Sequence, residues 1–110
     1  MILNPSELLL LEDCQDDWQG LWEAGWTESD DPVERRVALV TNLVAGGFLE
    51  VLSISDWSEA KSAAALQHEE SLAIVTRAES YGAPHEGHVG HFFVLSITPK
   101  GNLAVAACHN

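Results

Sequence analysis

The sequence predicts a single α+β domain over residues 1–110, with three helices ahead of the first strand and a short helix at the end. Three observations carry that expectation. Prolines sit at the first helical position behind cap candidates in "NPSE", "DPVE" and "TPKG". Two runs of β-branched and aromatic residues read as strands, and a glycine pair closes the longest apolar helix. A chain of 110 residues holds one domain with a modest core. Its 46% hydrophobic content and four tryptophans belong to a globular protein rather than a disordered tail.

The elements follow in order. The first helix starts at Pro5, with Asn4 as cap and Glu7 as its reciprocal partner, and runs to about Cys14. A second is expected over 17–26, "DWQGLWEAGW", with Asp16 capping and Gln19 completing the box; Trp18, Trp22 and Trp26 then share one side. Gly20 and Gly25 weaken it, so packing must hold it. The third, from Pro32 to Ala45, carries an apolar stripe of Val33, Val37, Val40 and Val44 and stops at Gly46-Gly47. "FLEVLSI" is the first strand. The polar, alanine-rich stretch after it leads to a helix around His68–Ser80, with Leu72, Val75 and Ala78 facing inward. "HFFVLSI" is the second strand, and Thr98 caps the last helix, "PKGNLAVAAC".

That order, with two local stretches, resembles a winged helix-turn-helix domain. "VTNLVAGGFLEVLSI" (Val40–Ile54) is similar to the end of a recognition helix and the first wing strand of MarR-like regulators. "FFVLSITPKGNLAV" (Phe92–Val105) is similar to their second wing strand and following helix start. The resemblance implies a winged-helix-like fold in which the third helix reads DNA through Arg35, Arg36, Thr41 and Asn42. It departs from the family in its wing: 36 residues, Ser55–Gly90, replace a tight hairpin. An insertion that long should carry structure of its own, here a helix.

Charge speaks against the DNA reading. Seventeen acids oppose five bases, a net charge of −12, and residues 1–32 hold nine acids and no Lys or Arg. Phosphate binding draws on a cluster of cations, and this chain's five are scattered. The expected function is therefore a non-enzymatic acidic module for protein–protein interaction, regulatory or inhibitory, with a basic partner attracted over about 8–10 Å. The alternative is a winged-helix DNA-binding transcriptional regulator. Trp18, Trp22, Trp26 and Trp57 are the partner-binding candidates, since aromatic residues concentrate at interface hot spots. The first three also suit a core; Trp57 lies in a polar stretch and should be the most exposed.

"PHEGHVGH" offers His85, His88 and His91 as metal candidates. The three do not have the i, i+4 helical spacing of HExxH, and an extended chain would send His88 to the face opposite His85 and His91. A histidine-rich loop with no cofactor is the expectation. Nothing resembles a phosphate loop, a GxSxG elbow or a nucleophile–base pair. Cys14 stands beside Glu12 and Asp13, which disfavour its thiolate. No signal-like or membrane-spanning run is present, and two cysteines without CxxC spacing suit free thiols in a cytoplasmic protein.

Overall fold

The computed structural model describes residues 3–23, 33–82 and 91–108. Helix α1 spans Pro5–Asp16, followed by a two-residue strand β1 (Gln19–Gly20) and a 3-10 turn at Leu21–Glu23. Helix α2 is Val33–Ala45, strand β2 is Leu49–Ile54, helix α3 is His68–Val75, strand β3 is Phe92–Ile97 and helix α4 is Pro99–Cys108. Single 3-10 turns at Trp57–Glu59 and Ala78–Tyr81 flank α3. The fold is α+β, as expected from the sequence.

Local chemistry explains most boundaries. Asn4 accepts from the Glu7 N–H at 2.8 Å while Glu7 accepts from the Asn4 N–H at 2.9 Å, so the capping box forms. At the far end of α2, Gly47 adopts a left-handed conformation (φ +80°) that a side chain would strain. There Phe48 N–H donates to Leu43 and Gly47 N–H to Val44, the paired bonds of a Schellman turn. Thr98 caps α4: its hydroxyl accepts from the Gly101 N–H at 3.0 Å and donates to the Gly47 carbonyl at 2.6 Å.

The three strands form an antiparallel sheet in the order β1-β3-β2. β3 is central, pairing Gln19 with Leu95 on one side and Val51 with Leu95 on the other. Both faces are covered. Leu49, Val51 and Leu95 join the main core with Leu10, Leu11, Leu43, Val44 and Val105 from the helices. Leu52, Ile54 and Val94, one residue out of phase, pack on the opposite face against Ala60, Ala63 and Trp18. The start of the insertion, with Ala60 and Ala63, thus covers the second face of the sheet, while Leu72, Val75 and Tyr81 further along it join the main core.

Three expectations are corrected. The helix over 17–26 does not form where the structure describes it: Asp16 ends α1, and Gln19–Gly20 pair with β3 instead. The four-residue tryptophan spacing mimics a helical stripe, but sheet hydrogen bonds to a strand seventy-odd residues away prevail. With α1 and α2 as the described helices before β2, the expected three N-terminal helices are not seen. The insertion helix stops at Val75, where Thr76 turns its hydroxyl back onto the Leu72 carbonyl at 2.7 Å. Leu72 and Val75 do face inward, but Ala78 is exposed.

Gly101 generates a testable consequence. A Cβ there would lie 2.3 Å from the Phe48 carbonyl oxygen and 2.7 Å from the Ile97 side chain. Helix propensity alone favours Gly101→Ala by about 1 kcal/mol, whereas the clash with backbone reverses the sign. Gly101→Ala is expected to destabilise the protein by about 1–3 kcal/mol, measured as a lower urea midpoint; a higher midpoint would show that α4 is free to shift.

Candidate functional site

Three aromatic rings meet on the second face of the sheet. Trp22 arrives from the turn after β1, Trp57 opens the 3-10 turn after β2, and Phe92 is the first residue of β3, paired with Ile54. Trp22 and Trp57 lie 6.2 Å apart at 65°, Trp22 and Phe92 5.6 Å apart at 72°, and Trp57 and Phe92 5.5 Å apart at 55°. The two Trp22 contacts are edge-to-face and the Trp57–Phe92 pair is tilted; aromatic pairs of this kind each contribute about 0.5–1.5 kcal/mol beyond the area they bury. Gly20 makes room for the cluster, since a Cβ there would stand 2.5 Å from the Trp22 ring. Trp22 and Phe92 are half-buried, while Trp57 is 44% exposed.

Fixed carboxylates frame Trp57. Asp56 accepts from the Ser58 N–H at 2.9 Å and so caps the turn. Glu59 accepts from the Ser55 N–H at 2.8 Å and from its hydroxyl at 2.9 Å. Hydrogen bonds from Ser58 hold the Asp56 carboxyl below its usual pKa. Those from Ser55, aided more weakly by the charge of nearby His91, do the same for Glu59. Both groups are therefore ionised at neutral pH. The result is a partly exposed indole on a turn whose flanking residues, Asp56 and Glu59, carry immobilised negative charges, a combination that can attract a guanidinium or ammonium group.

The other candidates fare differently. Trp18 is half-buried against the Leu52–Val94 cluster. Trp26, His85 and His88 lie outside the described residues. His91 is exposed just ahead of β3, and among the described residues no group of three His, Cys, Asp or Glu side chains is placed to hold a metal ion. On α2, Arg35 and Asn42 are exposed, with Glu34 beside them. Arg36 instead donates to the Trp22 carbonyl at 2.6 Å and lies 6.0 Å above the Tyr81 ring. Thr41 donates to the Val75 carbonyl at 3.3 Å. Two of the four residues on the helix expected to read DNA thus anchor its neighbours.

Sequence reasoning missed Phe92, Asp56 and Glu59. Phe92 reads as a strand residue and nothing local marks its ring as a partner of Trp22. The two acids flank Trp57 in a D-W-S-E run whose capping pattern was available, but not its position on the sheet.

Two measurements follow from the geometry. Trp22→Ala should cost about 3 kcal/mol of stability and Trp57→Ala about 1 kcal/mol, because only the first ring is wedged over the backbone; equal losses in a denaturant titration would contradict that ordering. Both cysteines are free thiols. Burial, then the charge of Asp13, pushes the Cys14 thiol up to about 12, whereas Cys108 is exposed. A thiol reagent at pH 8 should therefore label Cys108 quickly and Cys14 only on unfolding, counted by mass spectrometry; rapid double labelling would show that the α1 core opens readily.

No helix among the described residues is long and apolar enough to cross a membrane. In comparisons with known proteins, no family model matches this chain, and neither does any curated protein or solved structure.

Proposed function

We propose that the chain is a non-enzymatic, acidic, winged-helix-like interaction module of the cytoplasm, and that it binds a basic segment of a partner protein at Trp57. The observation that carries this reading is the exposed Trp57 indole on a turn that also carries the fixed carboxylates of Asp56 and Glu59, in a chain of net charge −12. An aromatic anchor backed by other rings is what interface hot spots use. The surrounding negative charge speeds encounter with a basic partner and selects against acidic ones. An Arg side chain of the partner lies over the indole and pairs with either carboxylate.

A second reading, a DNA-binding regulator, draws support from the sheet order β1-β3-β2 with α2 directly ahead of β2. It is left with Arg35 and Asn42 as exposed candidates on α2, since Arg36 and Thr41 are engaged internally. One cation on a helix face weighs little against phosphate desolvation and a net charge of −12.

A single titration series separates the two. An arginine-rich peptide should bind, weaken as salt rises, and lose at least about tenfold in affinity on Trp57→Ala, a change of about 1.4 kcal/mol. A fluorescent DNA duplex should show no binding at low salt. Peptide binding untouched by Trp57→Ala would remove the aromatic site, leaving only diffuse charge. Salt-sensitive duplex binding lost on Arg35→Ala would favour the second reading instead.

A further inference from the structure

We infer that the outer face of α4 is a self-association surface, covered by α4 of a second copy of this chain in an antiparallel helix pair. The inference is independent of the Trp57 site. Leu103 is 73% exposed, against 44% for Trp57 and 40% for Leu9, the other exposed large hydrophobic residues among those described. Ala106 and Ala107, three and four positions on, are exposed as well, which puts all three on one side of the helix. Gly101 and Val105 are buried on the opposite side, where α4 packs on α1 and β3. Gln15 of α1 donates to the Asn102 side chain at 2.9 Å and fixes that packing. The outer stripe has no described partner.

The distribution of charge selects the occupant. All seventeen acids lie between Glu7 and Glu86, and residues 87–110 contain none. Within α4 the single charged residue is Lys100. Two copies with a net charge of −12 each repel one another wherever acidic surfaces meet. An acid-free apolar stripe is where such copies can touch without opposing like charges. A basic partner, by contrast, gains nothing electrostatic from this stripe and is drawn to the acidic surface elsewhere.

The antiparallel arrangement follows from the ends of the helix. Lys100 stands at the N-terminal end, its ammonium donating to the Gly46 carbonyl at 2.7 Å. The last turn carries no basic residue to offset the negative end of the helix dipole. Antiparallel pairing sets each positive end beside the other copy's negative end, whereas parallel pairing sets like ends together. Ten residues make a helix of about 15 Å, so the contact is small and the association weak, with a Kd of about 0.1–1 mM.

Sedimentation equilibrium of the full chain, from about 10 μM to above 1 mM and at low and high salt, tests this. The expected result is a monomer–dimer equilibrium that tightens as salt screens the repulsion, the opposite sign to binding of a basic peptide. Leu103→Glu and, separately, Ala106→Glu should each weaken it at least about tenfold. Circular dichroism should show both variants folded, since both positions face solvent. Trp57→Ala should leave the dimer intact. A protein monomeric throughout, a dimer that survives both glutamate variants, or a dimer lost on Trp57→Ala would each overturn the assignment. The last outcome would make the aromatic patch the contact between copies.

Discussion

Thr98 joins three elements that the sequence keeps far apart. Its N–H donates to the Phe48 carbonyl at 3.1 Å, its hydroxyl donates to Gly47, and the same hydroxyl accepts the Gly101 N–H. One residue therefore ends β3, starts α4 and satisfies the turn that leaves α2. The register of the sheet follows, because fixing Thr98 against Phe48 sets Ile97 opposite Leu49 and every pair beyond it. Lys100 adds a second tie, with its ammonium 4.8 Å from the centroid of the Phe48 ring and bonded to Gly46. A slip of one residue at this point would exchange the two buried faces of β3, sending Leu95 to the small cluster and Val94 to the main core.

The insertion is held to the body by polar contacts as much as by apolar ones. Tyr81 donates to the Val75 carbonyl at 2.8 Å, the same oxygen that Thr41 reaches from α2, and Arg36 lies over the Tyr81 ring. Burial raises the Tyr81 pKa well above its usual value, against a smaller opposing effect of the Arg36 charge. The phenol stays protonated and keeps donating across the physiological range. These bonds engage Arg36 and Thr41, two of the four α2 residues that a DNA-reading helix would present. The polar residues of α2 on the α3 side hold the insertion in place, and the exposed remainder, Glu34, Arg35, Ala38, Asn42 and Ala45, is nearly neutral.

Where a local rule sufficed, the sequence was legible. The cap at Asn4, the valine stripe of α2, the glycine turn and the Thr98-Pro99 helix start all depend on neighbours within a few residues. The errors fall where distant partners decide. β1 is two residues long and exists through its pairing with β3, so no window around Trp18–Trp22 could reveal it. For the site, exposure of Trp57 was legible from its polar surroundings and Trp22 was a candidate beside it, yet Trp22 was placed on a helix and Phe92 only in a strand, because a ring cluster across three segments has no spacing in one dimension. The cationic and histidine candidates were chosen by residue type, and the contacts of Arg36 with Tyr81 and of Thr41 with Val75 depended on an insertion whose path the chain does not announce.

The aromatic patch is consequently a property of the folded sheet, and its negative frame is tied to the same local structure. Asp56 and Glu59 are both fixed by backbone N–H donors within the turn that carries Trp57. Their pKa values are lowered relative to an unfolded chain, so ionisation stabilises the turn above the unfolded values of 3.8 and 4.5. That contribution is lost only as the pH falls through the lower, folded-state values. Elsewhere the trend reverses: burial, then repulsion by Asp16 and Glu12, raises the Asp13 pKa on α1. On acidification Asp13 is therefore protonated before Asp56, which keeps its charge beside Trp57 to lower pH because its carboxylate is bonded to the Ser58 N–H.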